Sequence, residues 1–170
     1  MGQDVAQVSP TFGFRIHTLP RPPYSLHLWD IGGQKSIRAY WRNYYEETDG
    51  LVFVIDAAAP HRLEESLGEL RGLMAQDRLA GASLLIIANK QDCRGALTLG
   101  QIETCLRGLG LGGGETMEEA GAVPGSAIRG HCRVFATSAL RGENVQEALD
   151  WLVSDVAARL YHCPQGGTGC

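Results

Sequence analysis

Nowhere in these 170 residues is there a Cys-x-x-Cys pair, a stripe of basic residues interleaved with aromatics, or a Gly-x-x-x-x-Gly-Lys-Ser/Thr segment. Each absence excludes something. The five cysteines (Cys93, Cys105, Cys132, Cys163, Cys170) are odd in number and scattered, which speaks against a disulfide framework and a zinc knuckle and for a reducing, cytoplasmic setting. A net charge of −4 and a pI near 5.7 give no field to draw a polyanion, so nucleic acid is excluded as a partner. No apolar run approaches the ~18 to 20 residues of a membrane span, and the first residues lack a basic-then-apolar signal pattern. Met1-Gly2 opens like an acylation site, but Ala6 stands where Ser or Thr is preferred, and Cys170 lacks the three following residues that prenylation needs. A stable membrane anchor is not expected.

What is present is a chain of one-domain size with 44% hydrophobic residues, enough for a real core. Phe14-Arg15-Ile16-His17 and Tyr24-Ser25-Leu26-His27-Leu28 alternate apolar with polar and predict an antiparallel hairpin, interrupted by Pro20-Arg21-Pro22-Pro23, which is expected to break the ladder. Leu51-Val52-Phe53-Val54-Ile55 and Leu84-Leu85-Ile86-Ile87-Ala88 are unbroken and β-rich, the pattern of central strands covered on both faces in a parallel sheet.

Helical spacing recurs in Leu63, Leu67, Leu70 and Met74, and again in Val145, Leu149, Leu152, Val156 and Leu160. Asn144 and Glu147 before the latter predict a capping box. A further helix is expected over Leu99 to Leu109, and a short strand over Arg133 to Ala136. Strand and helix in alternation predict an α/β doubly wound sheet, mostly parallel with one antiparallel edge strand. Residues 108–130 are glycine-rich with Glu115, Glu118 and Glu119 and read as a loop insertion. Residues 163–170 read as a flexible tail after a domain ending near 162.

Ligands of such sheets bind where strands end in loops. Asp30-Ile31-Gly32-Gly33-Gln34 offers a carboxylate for magnesium, a glycine whose N–H can approach a γ-phosphate and a glutamine able to orient water; the same residues also suit a tight turn. Asn89-Lys90-Gln91-Asp92 follows a buried strand. Asp92 can accept from guanine's N1–H and exocyclic amine, which adenine does not offer, and Lys90 can lay its stem on the base, whereas the bland alternative is a helix-capping turn. Ser138 can hold Asp92, and the Ala139 N–H can meet the guanine O6. The Thr11 hydroxyl of Ser9-Pro10-Thr11 can ligate magnesium.

Taken in order, Ser9-Pro10-Thr11-Phe12-Gly13-Phe14, Trp29-Asp30-Ile31-Gly32-Gly33-Gln34 through Tyr45, Thr48-Asp49-Gly50 and Asn89-Lys90-Gln91-Asp92 resemble an ADP-ribosylation-factor-like (Arf-like) small GTPase, within it the Arf-like protein 2 group. The resemblance runs from about Val8 to the final helix, interrupted by residues 108–130. It implies a small-GTPase fold, GTP and GDP with Mg2+ as cofactors, Thr11 and Asp30 on the metal, Gly33 at the γ-phosphate and Gln34 as the catalytic residue positioning water. By the same resemblance Asn89, Lys90, Asp92, Ser138 and Ala139 hold the guanine, while Phe14, Trp29 and Tyr44 form the effector surface, or else ordinary core packing.

The partners implied are effector proteins such as tubulin-folding cofactors or lipid-binding chaperones, and a GTPase-activating protein bringing an arginine finger. Because the family opens with an amphipathic helix, a strand, the Gly-x-x-x-x-Gly-Lys-Thr loop and a helix, the chain is expected to be an N-terminally truncated version that binds GTP weakly. A nucleotide-independent effector module and an inactive truncated product are the alternatives.

Overall fold

A computed structural model describes residues 11–110 and 131–161, and the chain divides into two compact units, residues 1–47 and 48–170. Ser9 and Pro10, most of the predicted insertion and the predicted tail lie outside the described residues.

The second unit is organised by its apolar strand. A run without polar side chains has no face to give to water, so it must be covered on both sides. Strand β4 (Ser83–Asn89) meets this requirement: Leu84, Leu85, Ile86 and Ala88 are fully buried. It lies between β3 (Gly50–Asp56) and β5 (Cys132–Ala136) in a parallel sheet of order β3-β4-β5. Leu85 packs with Phe135 and with Ala148 and Leu152 of the last helix, α4 (Val145–Leu160), and Val52, Ile87, Trp151 and Val156 border that cluster. Helix α2 (Leu63–Met74) buries Leu70, Leu73 and Met74, and helix α3 (Leu99–Arg107) buries Ile102 and Leu106.

At the amino-terminal edge of the sheet the Ser83 hydroxyl donates to Asp155, which also meets the His131 ring at 3.0 Å. Arg159 donates to the Asp49 carbonyl at 2.6 Å, so α4 is fastened to the beginnings of all three strands. Cys93, Cys105 and Cys132 carry free thiols, and burial pushes that of Cys132 up to about 12.

Three expectations are corrected here. The Leu51 to Ile55 run was expected to be a central strand, but among the described residues β3 ends the sheet order, and Val54 is 56% exposed. Pairing on one side only leaves it half covered where β4 is sealed. The predicted capping box before α4 does not form: Asn144 takes a left-handed backbone (φ 58) and spends its side-chain amide on the Ala136 carbonyl at 2.8 Å, so no side chain caps the helix. A complete capping box forms instead at Thr98 and Gln101 in front of α3.

The third correction concerns the first unit. Its strands β1 (Phe14–Arg21) and β2 (Tyr24–Ile31) pair antiparallel along their whole length, and the ladder continues through Pro20 opposite Ser25 and Arg21 opposite Tyr24. The prolines turn the hairpin at Pro22-Pro23 without breaking it, since among the described residues β1 is an edge strand with a ladder on one side only. A short helix α1 (Lys35–Arg38) and a 3-10 stretch, Trp41–Glu47, complete the unit.

Candidate functional site

Parallel pairing brings the ends of β3, β4 and β5 to one edge, with Asp56 in register with Asn89 and Ala88 with Ala136. The loops leaving β4 and β5 interlock there. The Asn89 side-chain carbonyl accepts from the Ala139 amide at 2.9 Å and from the Thr137 hydroxyl at 3.3 Å. The Gln91 amide donates to the Thr137 carbonyl at 3.0 Å, and its side chain to the Leu97 carbonyl at 3.0 Å. Ser138, fully buried, donates its hydroxyl to Asp92 at 2.5 Å. That bond, more than any other influence, holds the Asp92 carboxyl below its ordinary value of 3.8, so a charged acceptor stands ready at neutral pH.

Sequence reasoning placed Asn89, Asp92, Ser138 and Ala139 together, and the structure brings them together. It also shows that the Ala139 N–H is already taken by Asn89, so meeting a base oxygen requires sharing or releasing that bond. Lys90 has a left-handed backbone (φ 71), uncommon for a residue with a side chain, and its ammonium meets the Asp56 carboxylate at 2.7 Å. Asp56 was not anticipated. Its signal was a carboxylate ending an otherwise wholly apolar strand.

In the first unit the Thr11 hydroxyl donates to the Asp30 carboxylate at 2.9 Å. Gly32 and Gly33 differ in kind. Gly32 is buried, donates to the Gly13 carbonyl at 2.9 Å, and a Cβ there would lie 2.4 Å from the Thr11 carbonyl oxygen; at Gly33 a Cβ would meet nothing. Side chains brace the two carbonyls, Trp41 donating to Gly32 at 3.0 Å and Arg38 to Gly33 at 2.9 Å. Gln34 follows as the residue before α1.

Phe14, Trp29 and Tyr44 form a mutually tilted cluster with ring centroids 5.2 to 5.8 Å apart. Phe14 is 48% and Trp29 45% exposed, so the cluster is no sealed core. Beside it, Gly13, Phe14, Ile31, Ile37, Tyr40 and Tyr44 line a hollow of about 260 Å³.

Among solved structures, that of the small GTPase Arl6 (BBS3) from Trypanosoma brucei, with bound nucleotide analogue GppNp, superimposes with a TM-score of 0.72 over 92% of this chain and 87% of that one. At 22% identity this likeness speaks for the fold, which is that of the small GTPases. Residues 1–156 match the sequence pattern of the ADP-ribosylation factor family. ADP-ribosylation factor-like protein 2 of Arabidopsis thaliana is 45% identical and that of Drosophila melanogaster 42% identical, each over 94% of this chain and 78% of the relative. The chain therefore belongs to the ADP-ribosylation factor family of small GTPases. No helix among the described residues is long and apolar enough to cross a membrane.

Proposed function

We propose that the chain works as a guanine-nucleotide switch of the Arf-like class, recognising the base at the β4 and β5 loops and reading the nucleotide state out through the aromatic surface of the hairpin. The observation that carries this reading is the Asp92 carboxylate, ionised and fixed by Ser138 beside an Asn89 side chain that ties the two loops. A fixed acceptor pair discriminates strongly, because a base lacking the matching donors leaves the carboxylate unpaired.

Thr11 and Asp30 present two adjacent hard oxygen donors, a set suited to Mg2+. In this reading they would hold it, directly or through water, and the ion would offset phosphate charge. Gly33, open on its Cα side, admits a γ-phosphate to its N–H, and Gln34 orients the attacking water. Hydrolysis is slow without an activating protein, whose arginine finger contributes ~10³ to 10⁵ in rate.

No Gly-x-x-x-x-Gly-Lys-Ser/Thr stands among these 170 residues. Charge-assisted contacts to the α- and β-phosphates are therefore not supplied from such a loop, and this stretch by itself holds nucleotide weakly, mainly through the base. The cluster of exposed Phe14 and Trp29 with half-buried Tyr44 supports a second reading, an effector-binding module indifferent to nucleotide. Effectors of either kind, tubulin-folding cofactors or lipid-binding chaperones by resemblance, would be met in the cytoplasm.

Titration with GDP, GTP and ATP, with and without Mg2+, tests the switch. Weak binding that prefers guanine and loses the preference in Asp92→Asn is expected. Equal binding of ATP and GTP by the unaltered chain would overturn the base-site assignment. Effector capture unchanged by GTP, GDP or chelator would favour the nucleotide-independent module.

A further inference from the structure

Lys90 is held in an unusual way, and the holding group is on another strand. Its backbone sits at φ 71, a conformation unfavourable for a side-chain-bearing residue that persists only where surrounding bonds impose it. Those bonds are present: the Lys90 carbonyl accepts from the Cys93 amide at 3.0 Å, and the neighbouring Gln91 is tied by its own amide to the Thr137 carbonyl and by its side chain to the Leu97 carbonyl. The left-handed turn fixes where the side chain leaves the loop. Where it ends is fixed by Asp56, the last residue of β3, whose Oδ2 meets the Lys90 Nζ at 2.7 Å.

Asp56 is itself oriented. Its other oxygen, Oδ1, accepts from the Ala58 amide at 3.1 Å, which leaves Oδ2 turned to the lysine. The register pairs Asp56 with Asn89, so the carboxylate lies one residue and one strand away from Lys90, the distance an extended lysine stem spans. A lysine pinned at both ends presents its methylenes as a fixed apolar rail instead of a freely turning chain. Ordering such a side chain on binding costs rotamer entropy, and a stem ordered beforehand avoids part of that loss.

We infer that Asp56 is a positioning residue of the guanine site, acting through Lys90: it fixes the ammonium so that the lysine stem is set flat for the face of the base. This rests on the base-site reading above and adds to it a residue on β3, outside both loops that carry the recognition. The pair is half exposed, with side-chain exposures of 51% for Lys90 and 34% for Asp56, so its direct contribution to folding is small and its effect falls on ligand binding.

The test uses the full chain with GMP and AMP as probes, followed by the amide shifts of Lys90, Asp92 and Ala139. Asp56→Asn keeps an acceptor for the Ala58 amide and removes the charge. It is expected to weaken GMP binding about fivefold, the upper scale of an exposed ion pair, with an unchanged far-UV spectrum. Lys90→Ala is expected to weaken GMP further, and adding Asp56→Asn to Lys90→Ala to change nothing more, since Asp56 acts only through the lysine.

Asp56→Asn binding GMP as tightly as the unaltered chain overturns the inference while leaving the base site standing. Equal losses in the presence and absence of Lys90 also overturn it, by showing that Asp56 acts on its own. If the unaltered chain binds GMP no better than AMP, the base-site reading falls first and this one with it. Should Asp56→Asn fail to fold, Lys90→Met, which keeps the stem without the charge, reads the same coupling: it is expected to behave like Asp56→Asn, and Lys90→Met binding GMP as the unaltered chain does overturns the inference.

Discussion

A single hydroxyl is the largest influence on the carboxyl of Asp92, the residue proposed to recognise the base. Ser138 donates to Asp92 and is the largest cause of the lowered carboxyl value, while the more distant Arg141 adds a smaller effect in the same direction. In Ser138→Ala the Asp92 carboxyl is expected to titrate closer to its ordinary value of 3.8, visible by following its side-chain carbon signal with pH. The sign follows from linkage. A carboxyl whose folded value is depressed contributes stability in full above its unfolded value and loses it as pH falls through the folded one, so the variant also unfolds at a higher pH on the acid side. The adjacent glycines separate by the same residue-level reasoning. Gly32→Ala forces a methyl against the Thr11 carbonyl oxygen and is expected to lose roughly 1 to 3 kcal/mol in denaturant melts, whereas Gly33→Ala meets open space and leaves the melt nearly unchanged. Nothing local in the sequence foretells this difference in steric room; the carbonyl packed over Gly32 creates it.

Elements were legible where periodicity was long and apolar. The α2 pattern at Leu63, Leu67, Leu70 and Met74 and the α4 pattern through Leu160 gave both helices, and the run before Asn89 gave β4. Their ends were less legible. Asn144 has the right chemistry for a cap, but its left-handed backbone directs its amide to the Ala136 carbonyl, while Thr98 and Gln101 complete a box among the loop residues after β4. Thr98→Ala is therefore expected to cost about 1 kcal/mol in thermal or urea unfolding, the usual loss for a capping residue. A result within a few tenths of the unaltered chain would mean that the box carries no weight. Pro20 teaches the complementary lesson, since a proline that would break a central strand sits without harm in the β1 edge.

At the scale of the molecule, the three-stranded sheet is not uniformly sealed. β4, paired on both sides and buried on both faces, is expected to hold the slowest-exchanging amides, with β3 amides faster in hydrogen exchange because one of its edges has no ladder among the described residues. Equal protection in the two strands would contradict that ordering. By itself the sequence determined the family and the strand and helix alternation, and it supplied the residues proposed to recognise the base, because buried runs, helical spacing and the order of short motifs are properties of the chain read in one direction. Only the tertiary structure decided that β3 pairs with β4 alone among the described residues, that Ala139 gives its amide to Asn89, that Phe14 and Trp29 gather with Tyr44 while staying exposed, and that Asp56 reaches Lys90. Each of these joins residues distant in sequence, where the partner is chosen by strand register and packing and leaves no local pattern to read.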